Sequence, residues 1–165
     1  MDGTKRFYVD RTLCMGCKTC EISCAVNRNS ESKRLNEAIR ELTKPRPRVY
    51  VECDGEQPVT VHCRQCEDAP CARTCSTGAL QIDEQTGCTF IDPDRCISCW
   101  MCVMACPYGV IAPAVEKKAA DKCDRCFQMK EPYCMVACPT NAIQLLEAQE
   151  IDEKNRQRRL ATLNN

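Results

Sequence analysis

The most constraining feature of the sequence is the run Cys96, Cys99, Cys102 and Cys106, which is followed directly by Pro107. The spacing of two, two and three intervening residues is typical of chains that bind 4Fe–4S clusters. Cys96, Cys99 and Cys102 can bind three irons of one cluster, because a tight loop lets their sulfurs converge. Cys106 lies about 6 Å further along a helix, at about 1.5 Å per residue, and so faces a second cluster. The run therefore predicts a partner run elsewhere in the chain.

Three further cysteine runs are present, and the four runs together contain sixteen of the 18 cysteines. The first run repeats the spacing above, whereas the second and fourth runs have wider middle gaps. The first, second and fourth runs are Cys14, Cys17, Cys20 and Cys24; Cys63, Cys66, Cys71 and Cys75; and Cys123, Cys126, Cys134 and Cys138. Cys53 and Cys88 are left over in predicted strands, and we interpret each as a buried, inert thiol rather than a ligand or redox sensor.

Other cysteine chemistry fits the sequence less well. A disulfide scaffold suits a secreted chain, but residues 1–17 contain no apolar segment of the kind that an export signal needs, which predicts a cytoplasmic protein with reduced thiols. Zinc is the main alternative metal, although structural zinc sites usually take cysteines in two separated pairs. His62 is the only histidine, and a Rieske centre needs two, so it receives no ligand role.

The sequence predicts no catalytic role, no nucleic-acid partner and no membrane insertion. Six glycines, none suitably grouped, offer no turn for a nucleotide or flavin. The most apolar segment, residues 100–115, is too short to cross a bilayer. The 23 basic and 23 acidic residues cancel, but each bound cluster would add about −2. Five basic residues within or beside the runs are interpreted as compensation for that charge, with solvated surface charges as the alternative: Lys18, Arg64, Arg73, Lys122 and Arg125.

Residue patterns predict short strands around the runs and two helical segments. A helix is predicted over residues 29–42, with Ser30 or Ser32 as N-cap. Residues 147–165 are charged and polar, which predicts a frayed helix or disorder. Strands are predicted at residues 6–10, 49–53, 59–63, 109–112 and 142–147, and a hairpin at residues 79–83 and 88–92.

The order of strands and runs predicts two nested modules. Residues 59–112 follow the order strand, run, hairpin, run, strand, which is the layout of a two-cluster ferredoxin. The first and fourth runs have their strands on the outside, so they form the same unit only with each other. The predicted fold is α+β, with two ferredoxin-like modules that each bind two 4Fe–4S clusters. The predicted parts are an outer module at 1–28 and 117–146, a helix-and-strand insertion at 29–54, an inner module at 55–116, and a polar tail at 147–165.

Exchange of the fourth cysteines within each module gives four predicted sites, called sites 1 to 4. Site 1 contains Cys14, Cys17, Cys20 and Cys138. Site 2 contains Cys123, Cys126, Cys134 and Cys24. Site 3 contains Cys63, Cys66, Cys71 and Cys106. Site 4 contains Cys96, Cys99, Cys102 and Cys75. Trp100 is interpreted as a solvent shield over site 4, with a partner contact as the alternative.

These motifs resemble the four-cluster ferredoxin-like electron-transfer subunits of bacterial and archaeal oxidoreductases. The resemblance covers residues 5–146, and the family implies the same nested pairing. Ser76 departs from the family, whose members commonly have proline after that cysteine. The motifs that carry the resemblance are CMGCKTCEISC, CRQCEDAPCARTC followed by TGAL, CISCWMCVMACPYG, and CDRCFQMKEPYCMVACPTNAI.

A finer resemblance concerns residues 14–49, where the first run is followed by AVNRNSESKRLNEAI and KPRPRV. This segment is similar to the iron–sulfur partner of carbon monoxide dehydrogenase. It implies a chain that relays single electrons from that dehydrogenase to a hydrogenase or a flavin-dependent reductase. The alternative is an iron–sulfur subunit of a molybdopterin oxidoreductase, such as formate dehydrogenase, or of a formate-linked hydrogenase.

Overall fold

The computed structural model of the protein describes residues 5–55 and 57–163. Residues 1–4, 56 and 164–165, which the predicted outer module, inner module and tail include, lie outside the described residues. Within the described ranges the strands form small antiparallel pairs instead of one sheet. The pairs are β1 (Arg6–Val9) with β8 (Ile143–Leu146), β2 (Val49–Asp54) with β3 (Gln57–His62), β4 (Leu80–Ile82) with β5 (Thr89–Ile91), and β6 (Ala112–Ala114) with β7 (Ala119–Asp121).

Short helices carry the third cysteine of every run. The helices are α1 (Thr19–Cys24), α2 (Leu35–Ala38), α3 (Pro70–Arg73), α4 (Met101–Ala105), α5 (Tyr133–Val136) and α6 (Ala148–Leu163). Helix α1 packs against α5, and α3 packs against α4. The first run therefore lies beside the fourth, and the second beside the third. Among the described residues, no helix has the length and apolar character needed to cross a membrane.

The pairing of β1 with β8 joins the two ends of the predicted outer module. Both strands were predicted, and their register places Phe7 opposite Leu145 and Val9 opposite Ile143. Phe7, Val9 and Ile143 pack with Val49 and other apolar residues beside α1 and α5. The pair thus holds the first and fourth runs together from opposite ends of the sequence.

The tail is helical from 148 to 163, so the alternative of disorder is wrong for these residues. The Nζ of Lys154 lies 5.7 Å from the ring centroid of the buried Tyr8. A cation over an aromatic face is attracted by the ring's negative face. This contact attaches α6 to β1 although the helix is largely polar.

The strands that flank the second and third runs each pair with a strand other than one another. β3 pairs with β2 from the insertion, and Gly55 in their turn has a φ of +71°, a conformation that glycine adopts without strain. The predicted strand at 109–112 is displaced to β6, and β6 pairs with β7, which forms from residues predicted as a polar connection. In both cases the partner is near in sequence, where closing the loop costs less entropy. The hairpin of β4 and β5 is confirmed.

The predicted helix over residues 29–42 is wrong for most of its length. Only α2 is α-helical, and a π-helical segment at Ala25–Asn29 continues α1 instead. Ser30 and Ser32 do not cap a helix, because their hydroxyls donate to the carboxylate of Glu41, at 2.5 and 3.0 Å. The two hydroxyl oxygens also accept from the main-chain N–H groups of Lys33 and Arg34, at 3.3 and 3.4 Å. Serine side chains that bond to the nearby backbone in this way compete with helix formation.

Two arginines and two aspartates connect the insertion to the fourth run. Arg48 Nη2 lies 2.6 Å from Asp121 Oδ1 and Arg48 Nη1 lies 3.5 Å from Asp124 Oδ2. Arg28 donates to the same Asp124 carboxylate. All four side chains are mostly buried, so water screens the charges less than it does at the surface.

We predict that Asp121→Asn lowers the free energy of unfolding by about 2 kcal/mol, because it leaves Arg48 buried with less charge compensation. The measurement is denaturant unfolding of the anaerobic protein, followed by its visible absorption. Asp68→Asn is the matched control, since the Arg73–Asp68 pair at 3.0 Å is exposed and should contribute less than about 1 kcal/mol. Equal effects of the two substitutions would contradict the prediction.

Candidate metal centres

The structure contains four cavities that are each lined by one predicted quartet of cysteines. Each cavity encloses between about 330 and 430 Å³ of empty space, part of it open to solvent. Site 1 lies in the cavity with Cys14, Cys17, Cys20 and Cys138; site 2 in that with Cys24, Cys123, Cys126 and Cys134; site 3 in that with Cys63, Cys66, Cys71 and Cys106; and site 4 in that with Cys75, Cys96, Cys99 and Cys102. All sixteen cysteines are thus brought together in the predicted sets.

The first and third runs reach their cavities through the same backbone geometry. Lys18 and Trp100 stand directly after the second cysteine of each run and have φ angles of +58° and +61°. This left-handed residue reverses the chain, and a short helix begins immediately after it. The reversal brings the first two cysteines and the third cysteine to one cavity, while the fourth is carried past the helix. In the second and fourth runs, Pro70 and Pro132 stand at the helix start, a position that proline favours.

Site 1 is partly open to solvent and rich in hydrogen bonds to sulfur. The hydroxyl of Thr19 lies 3.3 Å from the Sγ of the exposed Cys17 and lowers the pKa of that thiol. Burial acts to raise the pKa of Cys138, but N–H groups and the Thr140 hydroxyl outweigh it and lower the value. Cys20 is buried, and desolvation raises its pKa to about 11. The exposed side of the site therefore favours thiolates even before a metal is considered.

Site 2 is the most buried of the four. Burial raises the pKa of Cys24 to about 11, that of Cys134 to about 12, and that of Cys123 well above its usual value. The main-chain N–H groups of Arg48 and Arg125 donate to the sulfurs of Cys24 and Cys123, each at 3.3 Å. Such thiols stay protonated near neutral pH unless a positively charged centre binds them.

Site 3 is lined by two basic residues, Arg64 and Lys122, as well as by its four cysteines. Lys122 lies in the wall of this cavity, and Arg64 lies 5.9 Å from the ring centroid of Tyr108, which also lines it. Burial raises the pKa of Cys71, and the charge of Lys122 acts against that rise. A bound group of negative net charge is therefore matched electrostatically by this wall.

Site 4 lies near the surface under apolar side chains. Ile97 and Met101 line the cavity and are more than half exposed, and Cys99 is exposed. Trp100 is half-buried and lines the same cavity, the position expected of a solvent shield. The hydroxyl of Thr77 lies 3.7 Å from the Sγ of Cys75. This bond corresponds to the contact of Thr140 with Cys138 in site 1, at the same distance.

Buried contacts connect neighbouring sites in the order 1, 2, 3, 4. Cys20 of site 1 shares an apolar cluster with Cys24 and Cys134 of site 2. Cys123 of site 2 packs in a second cluster with Cys63 of site 3. In the third cluster, Cys71 of site 3 meets Cys102 of site 4. The more exposed sites 1 and 4 thus lie at the two ends of this series.

The donor set fits an iron–sulfur cluster. In the described ranges no three His, Cys, Asp or Glu side chains converge closely enough to hold a single ion. Each quartet instead lines a cavity with about 330 to 430 Å³ of empty space, part of which is open to solvent. Soft thiolate ligands spaced around such a volume suit a 4Fe–4S cluster, whose irons are separated from one another by sulfide.

Two cysteines and the histidine lie outside the quartets, and the predictions for the two cysteines differ in outcome. Cys88 is buried, at 0% exposure, as predicted, but precedes β5 instead of lying in it. The prediction of a buried thiol is wrong for Cys53, which is exposed on β2 beside Gly16. His62 is buried against Phe7 at a ring distance of 5.5 Å, and desolvation lowers its pKa to about 4. It lines the site 2 cavity as a neutral ring.

Sequence reasoning missed the hydroxyl donors and the placement of the cations. Thr77 and Thr140 each stand two residues after a fourth cysteine, a repeated position that could have indicated a hydroxyl donor. The interpretation of Lys122 as local charge compensation agrees with its position in the wall of site 3. By contrast Arg73, also beside a run, is exposed.

Comparison with known proteins agrees with the chemistry of the sites. A family described as "4Fe-4S dicluster domain" matches residues 57–148, a range that contains the second, third and fourth runs. The electron transport protein HydN of Escherichia coli K12 is 35% identical over 176 residues, which cover 95% of this chain and 97% of HydN. YsaA of the same strain is 37% identical over 150 residues, which cover 88% of this chain and 92% of YsaA.

A third relative is named as a subunit of an oxidoreductase. The "Probable anaerobic dimethyl sulfoxide reductase chain YnfG" of E. coli K12 is 30% identical over 165 residues, which cover 90% of this chain and 76% of YnfG. These relatives lend no support to the finer resemblance to the partner of carbon monoxide dehydrogenase. Together, the family match and the near full-length relatives show that this chain belongs to the 4Fe–4S dicluster domain family of iron–sulfur proteins.

Proposed function

We propose that this chain is a non-catalytic electron carrier that holds four 4Fe–4S clusters in sites 1 to 4. The observation that carries the proposal is the lining of four separate cavities by the four cysteine quartets predicted from the runs. Each bound cluster supplies one-electron redox chemistry. The names of HydN, an electron transport protein, and YnfG, a reductase chain, support the same role.

The polypeptide contributes the order and the surroundings of the sites. Neighbouring sites share buried apolar clusters: Cys20 with Cys24, Cys123 with Cys63, and Cys71 with Cys102. Sites 2 and 3 contain more buried cysteines than the other two, while the exposed Cys17 and Cys99 bring sites 1 and 4 to the surface. Electrons would enter at one end site and leave at the other.

We infer a nested division of the chain on the same grounds. The outer module, residues 1–28 and 117–146, would hold sites 1 and 2. The inner module, residues 55–116, would hold sites 3 and 4. The contacts of α1 with α5 and of α3 with α4 support this division. Residues 29–54 are then an insertion and 147–165 a tail. The thiolate chemistry of the sites suits a reducing compartment, the cytoplasm.

Two electron donors are proposed as alternatives. The resemblance of residues 14–49 favours carbon monoxide dehydrogenase, with a hydrogenase or flavin-dependent reductase as acceptor. The alternative is a molybdopterin oxidoreductase, such as formate dehydrogenase, or a formate-linked hydrogenase. The name of YnfG, a probable dimethyl sulfoxide reductase chain, supports an oxidoreductase subunit in general. In either case the catalytic site would belong to the partner.

We predict that protein purified without air contains about sixteen iron and sixteen labile sulfide per chain, because each of the four sites would hold four of each. Iron and acid-labile sulfide assays measure this directly. Stoichiometric zinc without sulfide would contradict the proposal, and about eight iron would reduce the number of clusters to two.

We predict that Cys138 acts with the first run and not with its own. Cys138→Ser and Cys20→Ser should each lose about four iron and the same component of the paramagnetic resonance spectrum of the reduced protein, because both residues line site 1. Cys134→Ser, in the run that contains Cys138, should lose a different component. If Cys138→Ser and Cys134→Ser lose the same one, the nested pairing is wrong. Cys53→Ser, outside every quartet, is the control.

We predict that catalytic amounts of carbon monoxide dehydrogenase reduce the protein under carbon monoxide, seen as bleaching of its visible absorption. The parallel reaction contains formate and a formate dehydrogenase, and each reaction is repeated without enzyme. Bleaching only with carbon monoxide supports the first donor. Bleaching only with formate supports a molybdopterin oxidoreductase as the donor. No bleaching in either reaction contradicts both proposed donors.

A further inference from the structure

Lys122 is a buried cation with no carboxylate in ion-pair contact in the part of the chain that the structure describes. It is 3% exposed, and its Nζ donates to the main-chain oxygens of Thr89 and Cys123, at 2.5 and 2.9 Å. The nearby carboxylates of Asp121 and Asp124 are bound by arginines instead. Both of these partners are neutral carbonyl groups, which leave the positive charge of the ammonium uncompensated.

An uncompensated buried ammonium is costly. The desolvation penalty of such an ion is several kcal/mol, and carbonyl dipoles offset it only in part. Lys122 lines the site 3 cavity together with Cys63, Cys71 and Cys106. Four thiolates around an oxidised 4Fe–4S core carry a net charge of about −2. Site 3 is therefore the place where a negative charge would stabilise Lys122.

We propose that Lys122 is the counter-ion of site 3 and raises the reduction potential of the cluster bound there, an inference that rests on the proposed function. Reduction adds one electron, and so one negative charge, to the cluster. A fixed cation stabilises the reduced form more than the oxidised form, by Coulomb attraction. Because Lys122 is buried, salt and water screen this attraction little.

Two other basic residues near the sites define how the test is read. Arg125 has similar features, because it is buried and its guanidinium donates to the main-chain oxygens of Lys5 and Thr86, but it lines the site 2 cavity and not that of site 3. Lys117 lies on the same segment as Lys122, but it is exposed, and its Nζ donates to the side chain of Asn29 at 3.1 Å. Lys117 therefore provides a matched control for the loss of a positive charge.

The test removes the charge of Lys122 and measures iron content and reduction potentials. Lys122→Gln keeps an N–H donor for the carbonyls of Thr89 and Cys123, and Lys122→Met keeps the volume without a donor. Each should retain about sixteen iron, while one component of a redox titration, followed by paramagnetic resonance, becomes about tenfold harder to reduce, a fall of about 59 mV for a one-electron couple. Lys117→Gln should shift no component. Cys71→Ser should abolish the component that shifts.

The outcomes separate this role from the proposed function. Wild-type protein without iron and sulfide contradicts the function, and the inference with it. Three outcomes contradict only the role of Lys122. In the first, the neutral variants have full iron and unshifted potentials. In the other two, the shift equals that of Lys117→Gln, or it occurs in a component that survives Cys71→Ser. If both neutral variants lose about four iron, the iron content of Lys122→Arg is measured. Retention of iron in that variant shows that site 3 needs a positive charge at this position, which supports the proposal. Loss of iron shows that the site needs the packing of the lysine side chain, which contradicts the proposal.

Discussion

The convergence of thiols from separate runs on one cavity is the constraint on which the rest of the structure depends. The helices that carry the third cysteines have four to six residues, and helices of this length are not stable alone in water. The apolar clusters that hold them contain Cys20, Cys71 and Cys123 among their buried members. The same side chains therefore form the core and the proposed ligands, so metal binding and folding are coupled in this chain.

Burial and hydrogen bonding act in opposite directions on the thiols. At the end sites, hydroxyls and N–H groups outweigh burial and lower the pKa of Cys17, Cys75 and Cys138, whereas burial raises the pKa of Cys20 and Cys102 to about 11. At site 2, burial raises the pKa of Cys134 to about 12, and Lys122 lies in the wall of site 3. Hydrogen bonds thus favour thiolates near the surface, whereas the deeply buried thiols need a positively charged centre to ionise.

The cysteine sets could be predicted because the spacing of each run and the order of its neighbouring strands are local features of the sequence. The strands of β1 and β8 were predicted for the same reason, from their β-branched and aromatic residues. The pairing of β3 with β2, the short α2 and the exposure of Cys53 were not predictable, because each depends on a competition between partners. Ser30 binding to Glu41, for example, is visible only when the chain is folded. The burial of Lys122 likewise depends on residues far away in sequence.

The pairing of β1 with β8 has a consequence for the order in which the chain matures. Residues 6–9 pair with residues 143–146, so this strand pair forms only after residue 146 has been synthesised. The cavities of sites 3 and 4 need nothing beyond residue 122. During synthesis sites 3 and 4 can therefore form first. The thiols of the first run stay without their partner run until residues more than a hundred positions later have been made. The N-terminal cysteines are therefore the ones most exposed to oxidation or to the wrong metal during synthesis.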